Sequence, residues 1–352
     1  MSKAPLRLEQ YDTILYNANL NPMGVPDSVT KALSDNMDAV IRYPGDYYGN
    51  LKSAIAVYLK CDADHIVLAN GSADLLHKYA IAIEPKRAMV LVPTFSEYET
   101  VLKTHDCEMV YYELEESKNY QFDLADFVGS LDSSLDMIII GNPNNPTSQI
   151  ISRDDLETLA EVCKELDIFL IIDEMYIEFT EDYKDLTSVP LVEEYDNIAV
   201  LRSVSKFFAV PGLRLAYAIM NNKEHMSTIE TKATTNSISS LTAVACLTMF
   251  RDTKYIEESR SQIYTERNLI YSAMATCKKV KLYKPFANFM LVKLLDVETT
   301  AQKIVDACKL KGIVIRNCEN IRGLDNTYIR FCFMKPTQND LLVNTIIDAI
   351  NS

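Results

Sequence analysis

The 352 residues, 48% hydrophobic and 24% charged, form a globular chain too long for one compact core, and no apolar run reaches the roughly 20 residues that span a bilayer. A formal net charge of −14 opposes binding along a nucleic-acid phosphate backbone, no membrane partner is expected, and any phosphate bound here is small and locally held. The eight cysteines stand singly with no CxxC pair and the four histidines are scattered, so no metal site is expected. The start, Met1 to Pro5, has no apolar signal region, so the chain is read as cytoplasmic with reduced thiols.

In chain order, the first informative motif is Asn70, Gly71, Ser72, Ala73 and Asp74, a glycine turn leading into a helical pattern. A helix starting there presents free backbone amides to an anion, with the Ser72 hydroxyl beside them, although any capped helix shares this pattern. Apolar runs at 88–93, 137–141, 168–173 and 198–202 read as strands buried on both faces. Between them, 152–166 repeats apolar residues at three and four with Ser152 placed to cap, a helix. Strand and helix alternating from 41 to 254 predict an α/β domain with a mainly parallel sheet and helices on both faces. From 255 to 352 the order changes: a helical stretch, a strand near 288–294, a helix near 299–310 and strands near 313–316 and 328–333 form a smaller α+β domain. Residues 1–40 are expected to join it.

Chemistry gathers where the large domain's apolar runs turn polar. The run 137–141 leads into Asn142, Pro143, Asn144, Asn145, Pro146 and Thr147, which alone would be only a turn. The most apolar run ends at Asp173, Glu174, Met175 and Tyr176. A carboxylate there can hold a heterocyclic nitrogen protonated; taken singly it could be a helix cap. After the last run come Ser203, Val204, Ser205 and Lys206, with Arg214 eight residues on. A lone lysine after a strand is usually a solvated surface group, but one desolvated among apolar neighbours becomes a nucleophilic amine.

In this order the motifs resemble those of fold-type I pyridoxal-phosphate (PLP) enzymes, the class I and II aminotransferases, over nearly the whole chain from residue 17 to the last helix. The resemblance implies an aspartate-aminotransferase-like large domain. Lys206 would carry the cofactor as a Schiff base and shuttle protons, Asp173 would face the pyridine nitrogen, and Asn145 and Tyr176 the phenolic oxygen. Gly71, Ser72, Ala73 and Asp74 would cradle the phosphate with Ser203, Ser205 and Arg214, while Tyr98 would stack on the ring. Tyr43 would reach the phosphate of a neighbouring subunit, which implies a homodimer with shared sites. On the substrate side the resemblance assigns Arg330 to the α-carboxylate, and Arg316, on the preceding strand, could take a second anion; Asn19 is a further substrate candidate.

Within the family, histidinol-phosphate aminotransferase and threonine-phosphate decarboxylase are the nearest likenesses. Residues 95–98, 206–214 and 316–325 look closer to the decarboxylase, yet no histidine precedes His65, where that family begins with a His-Gly-Gly segment. Ser148 and Ala216 stand where glycines are usual. The activity expected first is transfer of an amino group between a small, phosphorylated or otherwise dianionic amino acid and a 2-oxo acid; the alternative is decarboxylation of an O-phospho-amino acid. Two other classes fit less well: a PLP-sensing transcription regulator, for which fewer than about 20 residues precede the first motif, too few for a helix-turn-helix, and a cofactor-free interaction protein, which would not be expected to keep Asn145, Asp173, Lys206 and Arg214 together.

Overall fold

The computed structural model describes residues 13–352 apart from 233–235 and 297. The start of the chain, Met1 to Pro5, lies outside the described residues. Strand β1 (Ile14–Leu15) is followed by β2 (Ile66–Ala69), β3 (Arg87–Val92), β4 (Glu108–Glu113), β5 (Met137–Gly141), β6 (Phe169–Asp173), β7 (Ile198–Ser203) and β8 (Ala216–Met220). The last seven form one sheet in the order β2-β8-β7-β6-β5-β3-β4. From β7 to β4 neighbours are parallel, whereas β8 runs antiparallel to both β7 and β2. Strands β5, β6 and β7 are buried throughout, as continuous apolar runs covered by helices on both faces should be. The antiparallel strand has a local cause. The connection from β7 to β8 carries only the helical turn Pro211–Leu213, with no crossover helix, so the chain doubles back beside β7.

The expected helix forms at Arg153–Glu165, where the Ser152 hydroxyl accepts from the Asp155 amide (3.1 Å) and Leu156, Leu159, Ala160 and Cys163 face inward. A cap of this kind is worth about 1 kcal/mol. The eight cysteines are all unpaired. Among the described residues no helix is long and apolar enough to cross a membrane, and no group of three or more His, Cys, Asp or Glu side chains is placed to hold a metal ion.

The C-terminal part has strands β9 (Val280–Leu282), β10 (Phe289–Leu294), β11 (Ile313–Val314), β12 (Arg316–Asn317) and β13 (Tyr328–Cys332). Four of them make an antiparallel sheet, β12-β13-β10-β9. The single strand expected near 313–316 is instead two. Ile313 and Val314 pair with β1, and Arg316 and Asn317 with β13, because the N-terminal segment supplies an edge that local sequence does not reveal. Where the parts meet, Ser148 holds a left-handed backbone (φ 61°), and its hydroxyl accepts from the amides of Phe286 (3.1 Å) and Ala287 (2.8 Å). A glycine would suit the backbone better but would lose both bonds.

Candidate active site

In sheets of this kind, ligands sit beyond the carboxyl ends of the strands. There the loops after β5, β6 and β7 close on a cavity lined by Asn145, Asp173, Tyr176, Ser205, Lys206 and Arg214, with Ser72 and Tyr98 alongside. All eight were singled out from sequence. Phe95, Pro143, Met175 and Pro211 complete the lining; they lie within the same motifs but were given no role, since apolar side chains carry no chemistry of their own.

Lys206 is held with its Nζ donating to the Ala18 carbonyl (2.8 Å), while the Asn21 amide donates back to the Lys206 carbonyl (3.1 Å). Burial, aided by the Arg330 and Arg214 charges, pushes the Lys206 ammonium down to about 8. About a tenth of the amine is therefore unprotonated at pH 7, far more than for a free lysine, and it is this form that traps a carbonyl. Asp173, buried at the end of β6, is pushed up to about 6 by desolvation. It accepts from the Tyr98 hydroxyl (2.7 Å) and the Met175 amide (2.9 Å). Tyr98, expected only as a stacking ring, thus also orients the carboxylate.

At the other end of the cavity, helix Ser72–Ile83 begins. Its first amides have no carbonyl to bond within the helix, and its dipole favours an anion. Gly71 takes φ +89°, and a Cβ there would lie 2.1 Å from Arg214 Nη2, so only glycine lets the guanidinium lie across the turn. Ser203 sits one layer behind Ser205, donating to its hydroxyl (2.8 Å). Asp74 turns its carboxylate away from the cavity, accepting from the Asn70 amide (2.8 Å) and pairing with Lys78 (3.1 Å), so it braces the turn. An anion cradle, a softened lysine and a buried carboxylate across one cavity fit PLP: the first set would hold its phosphate, Lys206 its aldehyde carbon and Asp173 its ring nitrogen. When bound, the cofactor supplies an electron sink for bonds at a substrate Cα.

Above the cavity, the Arg330 guanidinium donates to the Asn145 side-chain oxygen and to the Asn17 carbonyl (2.7 Å). With that oxygen engaged, the Asn145 amide is the group left to face the cavity, where it would meet the cofactor. Asn19 Nδ2 donates to the Tyr176 hydroxyl (3.4 Å), and the buried atoms Asn19 Oδ1 and Arg330 Nε have no protein partner among the described residues, as expected of a site that takes a polar ligand. Arg316 is the direct cross-strand partner of Arg330, so both project from one face of the small sheet, and Arg316 donates to Asn320 (2.7 Å). Tyr43 is 82% exposed, away from this cavity.

The fold and site define a PLP-dependent enzyme with an aspartate-aminotransferase-like fold. The chain belongs to the family of class I and II aminotransferases, whose family model matches residues 11–346. It is 31% identical to threonine-phosphate decarboxylase of Salmonella typhimurium, over 95% of this chain and 90% of that protein. It is 27% identical to histidinol-phosphate aminotransferase of Methanosphaera stadtmanae, over 96% and 91% of the two chains. A crystal structure of the histidinol-phosphate aminotransferase from Clostridium acetobutylicum superposes with a TM-score of 0.89 at 31% identity, covering 96% of this chain and 99% of that one.

Proposed function

We propose that the enzyme decarboxylates a small amino acid carrying a second anionic group close to its α-carboxylate, an O-phospho-amino acid of the phosphothreonine type. The pairing of Arg316 with Arg330 across β12 and β13 carries the second anionic group, and the likeness of the cleft-lining stretches to the decarboxylase carries the reaction. Directly opposed residues have Cβ atoms about 5 Å apart, so the two guanidinium groups suit anions separated by a few bonds. The stretches that resemble the decarboxylase also gather at this cleft: Phe95, Tyr98, Lys206, Pro211 and Arg214 line it, and Arg316 stands beside Arg330. That supports decarboxylation ahead of the transamination expected first from sequence. Arg330 would grip the carboxylate and Arg316 the phosphate, orienting the Cα–carboxylate bond. As CO2 departs, the Lys206 ammonium would return a proton to Cα.

Transamination is the second reading, favoured by the likeness to the Clostridium enzyme; Lys206 would then remove the Cα proton and return it elsewhere on the reacting system. Incubation with O-phosphothreonine separates the two. CO2 release with no 2-oxo acid added supports the first, and glutamate formation that requires 2-oxoglutarate overturns it.

We further infer a cytoplasmic homodimer, with Tyr43 serving the partner's phosphate cradle. Ile41, Tyr43 and Val57 are 80%, 82% and 78% exposed, an apolar surface unusual for a free monomer. Sedimentation at micromolar concentration, with Tyr43→Ala lowering PLP affinity, tests both.

A further inference from the structure

Two chain segments must be held in register for this site to exist: the end of β6, which presents Asp173 and Tyr176, and the end of β7, which presents Ser205 and Lys206. Behind the cavity, and lining no part of it, a group of buried charges spans the two. Arg202, in β7, places Nη2 2.9 Å from Glu174 Oε2 and Nη1 3.1 Å from Glu178 Oε1, and all three side chains are at most 2% exposed. Glu174 directly follows Asp173, and Glu178 lies two residues beyond Tyr176. The Thr187 hydroxyl accepts from Arg202 Nη2 (2.9 Å) and donates to Glu174 Oε2 (2.7 Å). Arg260, from the long helix Thr253–Met274, donates to the Glu178 carbonyl (3.1 Å), and its guanidinium lies 5.9 Å from the ring of Phe207, the residue after Lys206. Tyr58 and Tyr217 contribute buried hydroxyls to the same surroundings.

A buried cluster of one cation and two carboxylates is a poor stabiliser, because desolvation offsets much of its attraction. Apolar residues would fill the same space at no such cost. What charges add is direction: the hydrogen bonds from Arg202 Nη2 to Thr187 and from Thr187 to Glu174 fix donor and acceptor across the two strands, and the close ion pair with Glu178 adds a second point of attachment. We propose that Arg202, Glu174 and Glu178 are positioning residues for the cofactor site, holding the Asp173–Tyr176 turn against the Ser203–Lys206 turn. Arg202 also balances the Glu174 charge, which otherwise makes its neighbour Asp173 harder to ionise. This goes beyond the proposed reaction and holds for either fate of the substrate.

The test uses the full chain without and with PLP, comparing the parent with Arg202→Lys, Glu178→Gln and Thr187→Val. Four readings are taken: melting temperature without PLP, the Kd for PLP from its visible absorbance band, the circular dichroism of that band, and the pH midpoint of the rate of PLP attachment. Arg202→Lys and Glu178→Gln are expected to weaken PLP at least about tenfold, to reduce the visible dichroism, and to raise the attachment midpoint by about half a pH unit or more as water reaches Lys206. Thr187→Val, which strands no buried charge, should shift the same readings by less, and it decides the matter alone if the other variants do not fold. Variants that lose melting temperature but keep the parent's Kd, dichroism and midpoint would show a packing role only and overturn the proposal.

Discussion

The floor and the roof of the cleft are built on different physical terms. On the floor, Asp173, Ser205 and Lys206 stand at or just past the ends of buried strands and Tyr98 in the helix after β3, each held by at least one fixed partner. On the roof, Arg330 is tied to Asn145 and Asn17, but Arg316 is only half-buried and bonds one neighbour, Asn320. The contrast teaches where each task is lodged. Cofactor chemistry needs groups whose proton affinities are shifted, which demands burial and preorganisation. Substrate choice needs charges that can still meet a ligand, which demands access.

The largest effect should fall on the floor. Lys206→Ala should remove the visible band formed on adding PLP and lower turnover by at least about a thousandfold. Asp173→Asn comes next, with an expected loss of about 10²–10³-fold in turnover, since a neutral amide cannot balance a protonated ring nitrogen. The same change should raise the melting temperature of the cofactor-free protein at pH 7. Burial lifts the Asp173 carboxyl from 3.8 to about 6, so the folded state binds this proton more tightly than the unfolded chain. Its contribution to stability is full below pH 3.8 and is lost as pH rises through about 6, and asparagine removes the cost of burying the charge. A flat melting profile across that window in the parent would contradict this account.

Lys206 gives a further pH test of the floor. Because its amine is held near 8, the rate of PLP attachment to the cofactor-free protein should rise with pH to a midpoint near 8, well below the 10.5 of a free lysine. A midpoint near 10 would mean that the cavity is wetter than the structure shows. Gly71→Ala tests the cradle: with Arg214 2.1 Å from the added carbon, the guanidinium must move, and the PLP Kd should rise about tenfold. On the roof the effect should be of similar size but confined to substrate. Arg316→Gln should raise KM about tenfold for a phospho-amino acid, leaving PLP binding and kcat nearly unchanged. An equal effect on a substrate lacking the second anion would break the division between floor and roof.

Much of the floor was legible because PLP chemistry concentrates unusual residues at strand ends: an Asn-Pro turn, a carboxylate after the most apolar run, and a lysine among hydroxyls. The buried strands were legible for a related reason, since β5, β6 and β7 are apolar without alternation. Edge elements were less so. β2, β4 and β8 were not foreseen: β2 gains its pairing from β8, about 150 residues on, while β4 pairs with β3 and β8 with β7, and neither carries a long apolar run set off by turn residues. The split of 313–317 between two sheets was hidden in the same way. Tyr98 and Asp74 show the limit for side chains: residue type announced that each belonged near the cofactor, but only packing turned the Tyr98 hydroxyl onto Asp173 and the Asp74 carboxylate back onto Asn70.

The sequence by itself determined the family, the cofactor and most of the polar groups that line the cavity, because local order along the chain places most of the motifs just past the end of a strand. Tertiary structure alone decided that Lys206 lies under the Ala18 carbonyl, that Arg316 stands opposite Arg330, and that Arg202 ties two strand ends together. Those contacts join residues on separate elements, 14 to 188 positions apart, where spacing carries no signal and only the pairing of strands and the closing of the core bring the partners within reach.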